Sequence, residues 1–416
     1  MNFFAKRCDE LKERKMQFFS HVEVVSSRIP FLQVILDLWN KTGVPLLYYD
    51  NNKIIPFELF SGDDDGFFYF VPYLAKKFGC TADVAAYWWD LGIVVAGCLV
   101  ALTAFMFLVK TTLEKIIAFV GISFLGLIAW NVCTVYILPF FAFCFFPCFL
   151  VLLSRNSYKA LWGYCLLLGG VIAFSNSIRL YAALPLVSAV VVSALFSTMP
   201  WRKLVVATVF LLSSLGGYSL WFASITQQPR DYCARIDPEY TFGGYKGQHL
   251  FWHIVYVGLG FIPNDFELYY GDGCGYKKAQ EIDKNIILRS SAYDEALKGE
   301  VLALVKGYPH FVLRVLFAKA GVLFYYLLLF ANLGLICAWF YRKPWYVECG
   351  YRAGLLAGAL PGILSIPVTP YVLGFISAAV FYGLHSIIWA LQHGMLSDLR
   401  MFFKKRSIQA TKRDFS

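Results

Sequence analysis

The sequence predicts an all-α, polytopic transmembrane helix bundle of about nine or ten spans with one larger external loop region, and three observations predict it. Hydrophobic residues make up 59% of the 416 residues and charged residues only 15%, whereas a soluble domain is about half apolar and a quarter charged. Apolar runs long enough to span, or nearly so, recur along the whole chain. Basic residues gather at the ends of those runs, so the net charge of +10 reads as membrane topology and argues against a nucleic-acid surface.

Taken in order, residues 1–28 carry Lys6, Arg7, Asp9, Glu10, Lys12, Glu13, Arg14 and Lys15. No small-residue cleavage site follows a compact apolar core, so the expectation is a cytoplasmic amphipathic segment and not a cleaved signal. The apolar runs are 86–109, 116–135, 137–153, 160–174, 180–196, 204–225, 321–341, 351–365 and 371–391. A span needs about 20 residues, so the shorter runs read as short or broken helices. Basic residues lie at 6–15, at Lys110 and Lys115, Arg155 and Lys159, Arg202 and Lys203, Arg342 and Lys343, and through 400–413. Placing them all in the cytoplasm makes the run 86–109 pass from outside to inside. Residues 29–49, burdened by Asp37, Asn40 and Lys41, are then the only place for an earlier crossing. The resulting division is a transmembrane bundle at 29–225 with an acidic external loop at 50–85, and an external region at 226–308 with a helix near 291–306. An interfacial helix and C-terminal spans follow at 309–395, then a basic cytoplasmic tail at 396–416.

Of the 11 cysteines, Cys98, Cys133, Cys144, Cys148, Cys165 and Cys337 fall in apolar runs and read as small buried hydrophobes. Cys80, Cys233 and Cys274 fall in external segments, where a Cys233–Cys274 disulfide is one open option. No CxxC or Cys/His zinc spacing occurs, so a structural metal site is not expected.

Asp63, Asp64 and Asp65, between Gly62 and Gly66 and ahead of an aromatic run, are the first candidates for chemistry. Three adjacent carboxylates repel one another and need water, a cation or basic partners. They read either as a solvated loop or as a catalytic loop that could also hold a divalent cation such as Mg or Mn. Arg179 interrupts an apolar stretch together with Ser175, Asn176 and Ser177. It either snorkels to the interface or pairs with an external carboxylate or a phosphate, which the planar guanidinium suits.

His249, Trp252, His253 and Tyr256 recur at helical spacing and would share one face. No Glu follows the first histidine as in zinc-protease helices, so a polar cleft is favoured over a metal. Trp252 and Tyr256 could stack on a sugar ring or anchor at the interface. Gly271–Tyr276 reads as a turn carrying Asp272 and Tyr276. Pro361, Pro367 and Pro370, with Thr369 and Tyr371, mark a broken helix pair. Arg314 and Lys319 sit where an interfacial helix would hold them at headgroup level.

An acidic triplet in the first external loop, then an aromatic stretch, then many spans, resembles the GT-C class of membrane glycosyltransferases. The turn at 175–185, the Trp252–His253 pair and the turn at 367–374 are similar to those of bacterial membrane proteins of that type. The resemblance implies an enzyme of the inner (cytoplasmic) membrane that uses a polyprenyl-phosphate-linked sugar as donor. Its acceptor would be an envelope glycan, lipid or protein at the external face, and the reaction would be inverting. One of Asp63, Asp64 and Asp65 would be the catalytic carboxylate. Apart from the resemblance, transfer from a lipid phosphate needs cationic stabilisation of the departing phosphate, for which Arg179, Arg314 and Lys319 are candidates, and His249, Trp252, His253 and Tyr256 are candidates for binding substrate. The chain departs from the class in its poor first span. The alternative is a transporter or flippase for a lipid-linked or anionic solute, built on Arg179 and the broken helices. It would usually show inverted repeats, and none is evident.

Overall fold

The computed structural model describes residues 23–50, 53–57, 64–155, 157–237, 250–287 and 290–398. Helix α1 (Glu23–Thr42) opens the described chain and a small antiparallel hairpin follows, β1 (Leu47–Asp50) against β2 (Lys53–Pro56). This hairpin is the only sheet among the described residues. Everything else that is regular is helical, as the composition predicts.

Seven segments are long and apolar enough to cross a membrane. They are α3 (Ala82–Met106), α4 (Thr112–Val132), the broken segment Thr134–Ser154, α7 (Tyr158–Ile178), α9 (Trp201–Ile236), α13 (Pro309–Phe340) and α15 (Thr369–Gln392). The broken segment consists of a 3₁₀ turn, α5 (Leu138–Phe143) and α6 (Phe146–Ser154), and each helix starts on a proline in its first turn. Proline is tolerated there because its missing N–H would be unbonded anyway. Two shorter or more polar helices complete the bundle, α8 (Leu184–Leu195) and α14 (Trp345–Leu364), packed on each other. Charge explains the second case, since Glu348 and Arg352 sit in its first half.

Helix α15 is the central post, buried at most positions from Val372 to Ser386. Its contact with α13 is unusually close. A Cβ on Gly334 would stand 2.2 Å from the Gly383 Cα, so small residues set this interface, as is common between membrane helices.

Three expectations change in detail. Residues 309–320 do not form a separate interfacial helix; they are the first turns of α13, continuous with the apolar part. Residues 29–49 were the expected first crossing, but the helix there is not among the long apolar ones. Instead α1 packs along α2 (Asp65–Phe78) and the start of α3: Gln33 accepts from the Ala82 N–H and Lys76 reaches the Trp39 carbonyl. Its polar residues Asp37 and Lys41 stay exposed, so it lies over one end of the bundle. Finally, Cys233 and Cys274 are free. They are buried in two different apolar clusters, so no disulfide joins them.

The bundle has two unlike ends. At one end Arg155 lies over the Phe107 ring, Lys203 over Tyr158, and Gln392 bonds the Leu108 carbonyl. Lys343 pairs there with Glu348 at 3.0 Å. Burial lowers the pKa of this lysine, and the carboxylate partly opposes that. At the other end α9 and α13 run on as 36- and 32-residue helices, about 50 Å each at 1.5 Å per residue. That exceeds the ~30 Å hydrocarbon core, so both helices project beyond it. The projecting part of α9 holds the hairpin through Cys233 and Asp237. The projecting part of α13 joins α10 (Phe251–Gly258), α11 (Asp272–Ile282) and α12 (Ser291–Gly307) around a second small core.

Candidate functional site

The site lies where that outer layer meets the bundle. It begins with Asp64, whose backbone is left-handed at φ 68. Few residues other than glycine accept that conformation, and Asp is among the more tolerant. Two residues on, a Cβ at Gly66 would stand 2.7 Å from the Ser177 carbonyl oxygen, so glycine is needed for α2 to start against the last turn of α7. The two ends brought together carry Asp64 and Arg179.

Asp64 is nearly enclosed, with 3% of its side chain exposed. Its Oδ2 accepts from Arg28 at 2.7 Å and its Oδ1 from Arg179 Nη1 at 3.3 Å. Both guanidiniums also stand over the Tyr136 ring, with centroid distances of 5.7 and 4.9 Å. Arg28 Nη1 is buried and has no hydrogen-bond partner among the described residues. That buried donor is one a ligand oxygen would satisfy.

A cavity of about 510 Å³ opens in front of the two arginines, within the range of small-molecule sites. Tyr136, Tyr270 and Tyr371 line it, and Tyr270 donates to Tyr371 at 3.1 Å. Leu184, Ile254, Leu360 and Leu364 supply an apolar wall. His253, Asp272 and Tyr276 supply a polar one. His253 Nδ1 lies 2.6 Å from the Tyr293 hydroxyl and Nε2 lies 3.1 Å from Asp272 Oδ1. A carboxylate only accepts, so Nε2–H donates to Asp272, while Nδ1 shares a hydrogen bond with the Tyr293 hydroxyl. Glycine is required beside this chain, because a Cβ on Gly275 would stand 2.7 Å from His253 Nδ1.

No known protein family, curated protein or solved structure matches this chain. The geometry therefore speaks for itself.

Of the residues singled out from the sequence, Arg179, His253, Asp272, Tyr276 and Tyr371 line the cavity. Asp64 holds the arginines from behind, and Asp65 opens α2 beside it. Asp63 and His249 lie outside the described residues. Trp252 and Tyr256 pack in or against the outer core and do not line the cavity. Burial in that core pushes the Tyr256 phenol up, so it stays neutral. Arg314 is exposed and reaches the Pro263 carbonyl at 3.5 Å. Lys319 is buried and caps the end of α14, donating to the Ile363 carbonyl at 2.9 Å. Neither cation lines the cavity.

Arg28 was not signalled by any pattern, since it follows a charged segment and precedes a weak apolar run. Asp272 was visible only as a turn residue. Among the described residues no three His, Cys, Asp or Glu side chains converge to hold a metal ion. Both oxygens of Asp64 already face guanidiniums, so a divalent cation there would have to displace them.

Proposed function

We propose that this chain is a multi-pass membrane glycosyltransferase that moves a sugar from a polyprenyl-phosphate donor to an acceptor at the external face of the bacterial inner membrane. The observation that carries the reading is the pair Arg28 and Arg179, held by one buried carboxylate and directed at a cavity with both an apolar and a polar wall. A lipid phosphate needs that combination. Its phosphate suits planar, two-pronged donors, and its first isoprenoid units suit Leu184, Leu360 and Leu364. The sugar would lie among the tyrosines. When the anomeric carbon–oxygen bond breaks, the phosphate gains a negative charge, and preformed cations stabilise it most at that moment. The cavity lies at the end away from the basic clusters, which the positive-inside rule puts outside the cell.

The test is transfer of radiolabelled sugar from polyprenyl-phosphate hexoses to endogenous acceptors in membranes carrying each variant. Arg179→Lys keeps the charge and loses the paired geometry, and should lower transfer at least tenfold at normal protein level. Undiminished transfer by the Lys variant would mean that Arg179 only reaches the interface.

A further inference from the structure

We infer that Asp272 is the general base of this reaction and that His253, itself fixed by Tyr293, is its positioning residue. The inference rests on the glycosyltransferase reading above and assigns a step that Arg28 and Arg179 cannot perform. Those residues stabilise charge; something must still take the acceptor's proton.

Asp64 is unsuited to that role. It is almost fully enclosed and each of its oxygens faces a guanidinium, so neither is open to an acceptor hydroxyl. Asp272 is the opposite case. Its side chain is 67% exposed and it lines the cavity on the wall built by α10 and α11.

Its orientation is not left to chance. His253 is buried, and its ring is bracketed by the Tyr293 hydroxyl, the stacked Tyr276 ring at 5.6 Å and the space left by Gly275. Tyr293 is itself fully buried. The Tyr293 hydroxyl holds Nδ1 and Nε2–H donates to the Asp272 carboxylate, so the ring is fixed with Nε2 toward Asp272. Both ring nitrogens are thereby engaged, so the imidazole serves to orient its neighbour. The order of the relay is therefore Tyr293 to His253 to Asp272, with the carboxylate as the member that meets substrate.

In the step itself the acceptor hydroxyl oxygen attacks the anomeric carbon and a glycosidic C–O bond forms. The C–O bond to phosphate breaks, and its electron pair leaves on the phosphate oxygen, facing Arg28 and Arg179. The acceptor proton passes to the Asp272 carboxylate. A base of this kind contributes about 10²–10⁴-fold in rate.

The experiment compares wild type, Asp272→Asn, Tyr293→Phe and Asp63→Asn in the same transfer assay, with kcat and KM measured across pH. Asp272→Asn should lose about 10²–10⁴-fold in kcat with little change in KM, and the fall in rate toward acid should disappear with the carboxylate. Tyr293→Phe frees the histidine ring from its Nδ1 hydrogen bond and should lose less, in kcat and not in KM, with the acid limb displaced. Full activity of Asp272→Asn in membranes where the wild type transfers sugar would overturn the assignment and leave the glycosyltransferase reading standing. So would an Asp63→Asn variant that alone abolishes the acid limb. A wild type that transfers from none of the hexose donors would overturn both.

Discussion

Asp64 shows how one residue can matter more for what it holds than for what it does. Removing one partner of a buried ion pair leaves the other charge uncompensated, at a cost of about 3–5 kcal/mol. Asp64→Asn should therefore lower the melting temperature of the detergent-solubilised protein and its level in membranes, as well as its activity. Asp272→Asn, at an exposed carboxylate, should change stability by under about half a kcal/mol. Equal melting temperatures for Asp64→Asn and the wild type would show that the arginines do not depend on this carboxylate. The acidic triplet and Arg179 were both conspicuous in the sequence, because charge stands out in an apolar chain. Their pairing was one of the options that charge allowed. Arg28 could not be found that way. Its neighbours are an ordinary mixture, and only the fold of α1 over the bundle end brings it to Asp64.

At the scale of elements, apolar runs located the helices well and their ends poorly. The hydrophobic signal stops at the membrane surface, but the hydrogen-bonded ladder need not. Thus α9 continues through Gln227, Gln228, Arg230 and Asp231, and α13 starts at Pro309, well before its apolar stretch. The amphipathic turns at 309–320 suggested an interfacial helix, yet half of that period faces the outer core through Phe311 and Val315. The glycine contact between α13 and α15 was equally hidden, because a lone Gly in an apolar run carries no partner's name. Gly334→Val should force these helices apart and destabilise by about 1–3 kcal/mol or more, read as lost folded protein after heating in detergent. Valine tolerated at wild-type stability would mean the two helices can separate freely.

For the molecule as a whole, the two ends differ in charge and shape, and both follow from the chain. Basic residues at 110–115, 155–159, 202–203 and 342–343 gather away from the cavity, while the outer layer built from 250–287 and 290–308 closes over it. Its composition was legible as a soluble-like region; that it forms the polar wall of the site was not, since the Asp272–His253 contact links a turn to a helix with no common pattern. Cysteine substitutions at Lys277 and Arg202, both exposed, should react with a membrane-impermeant thiol reagent from opposite sides of the membrane. Labelling of both from one side would contradict this arrangement.

The central claim is that Arg28 and Arg179 form one lipid-phosphate site. Its most direct measurement is the affinity of purified protein for polyprenyl phosphate itself, by native mass spectrometry, for wild type, Arg28→Lys, Arg179→Lys and the double variant. Hydrogen bonds to charged groups contribute about 1.5–3 kcal/mol each, so each single variant should bind about tenfold more weakly or worse. The double variant should show no specific binding, with an uncharged polyprenol bound weakly by all four. Wild-type affinity in the double variant would contradict the account.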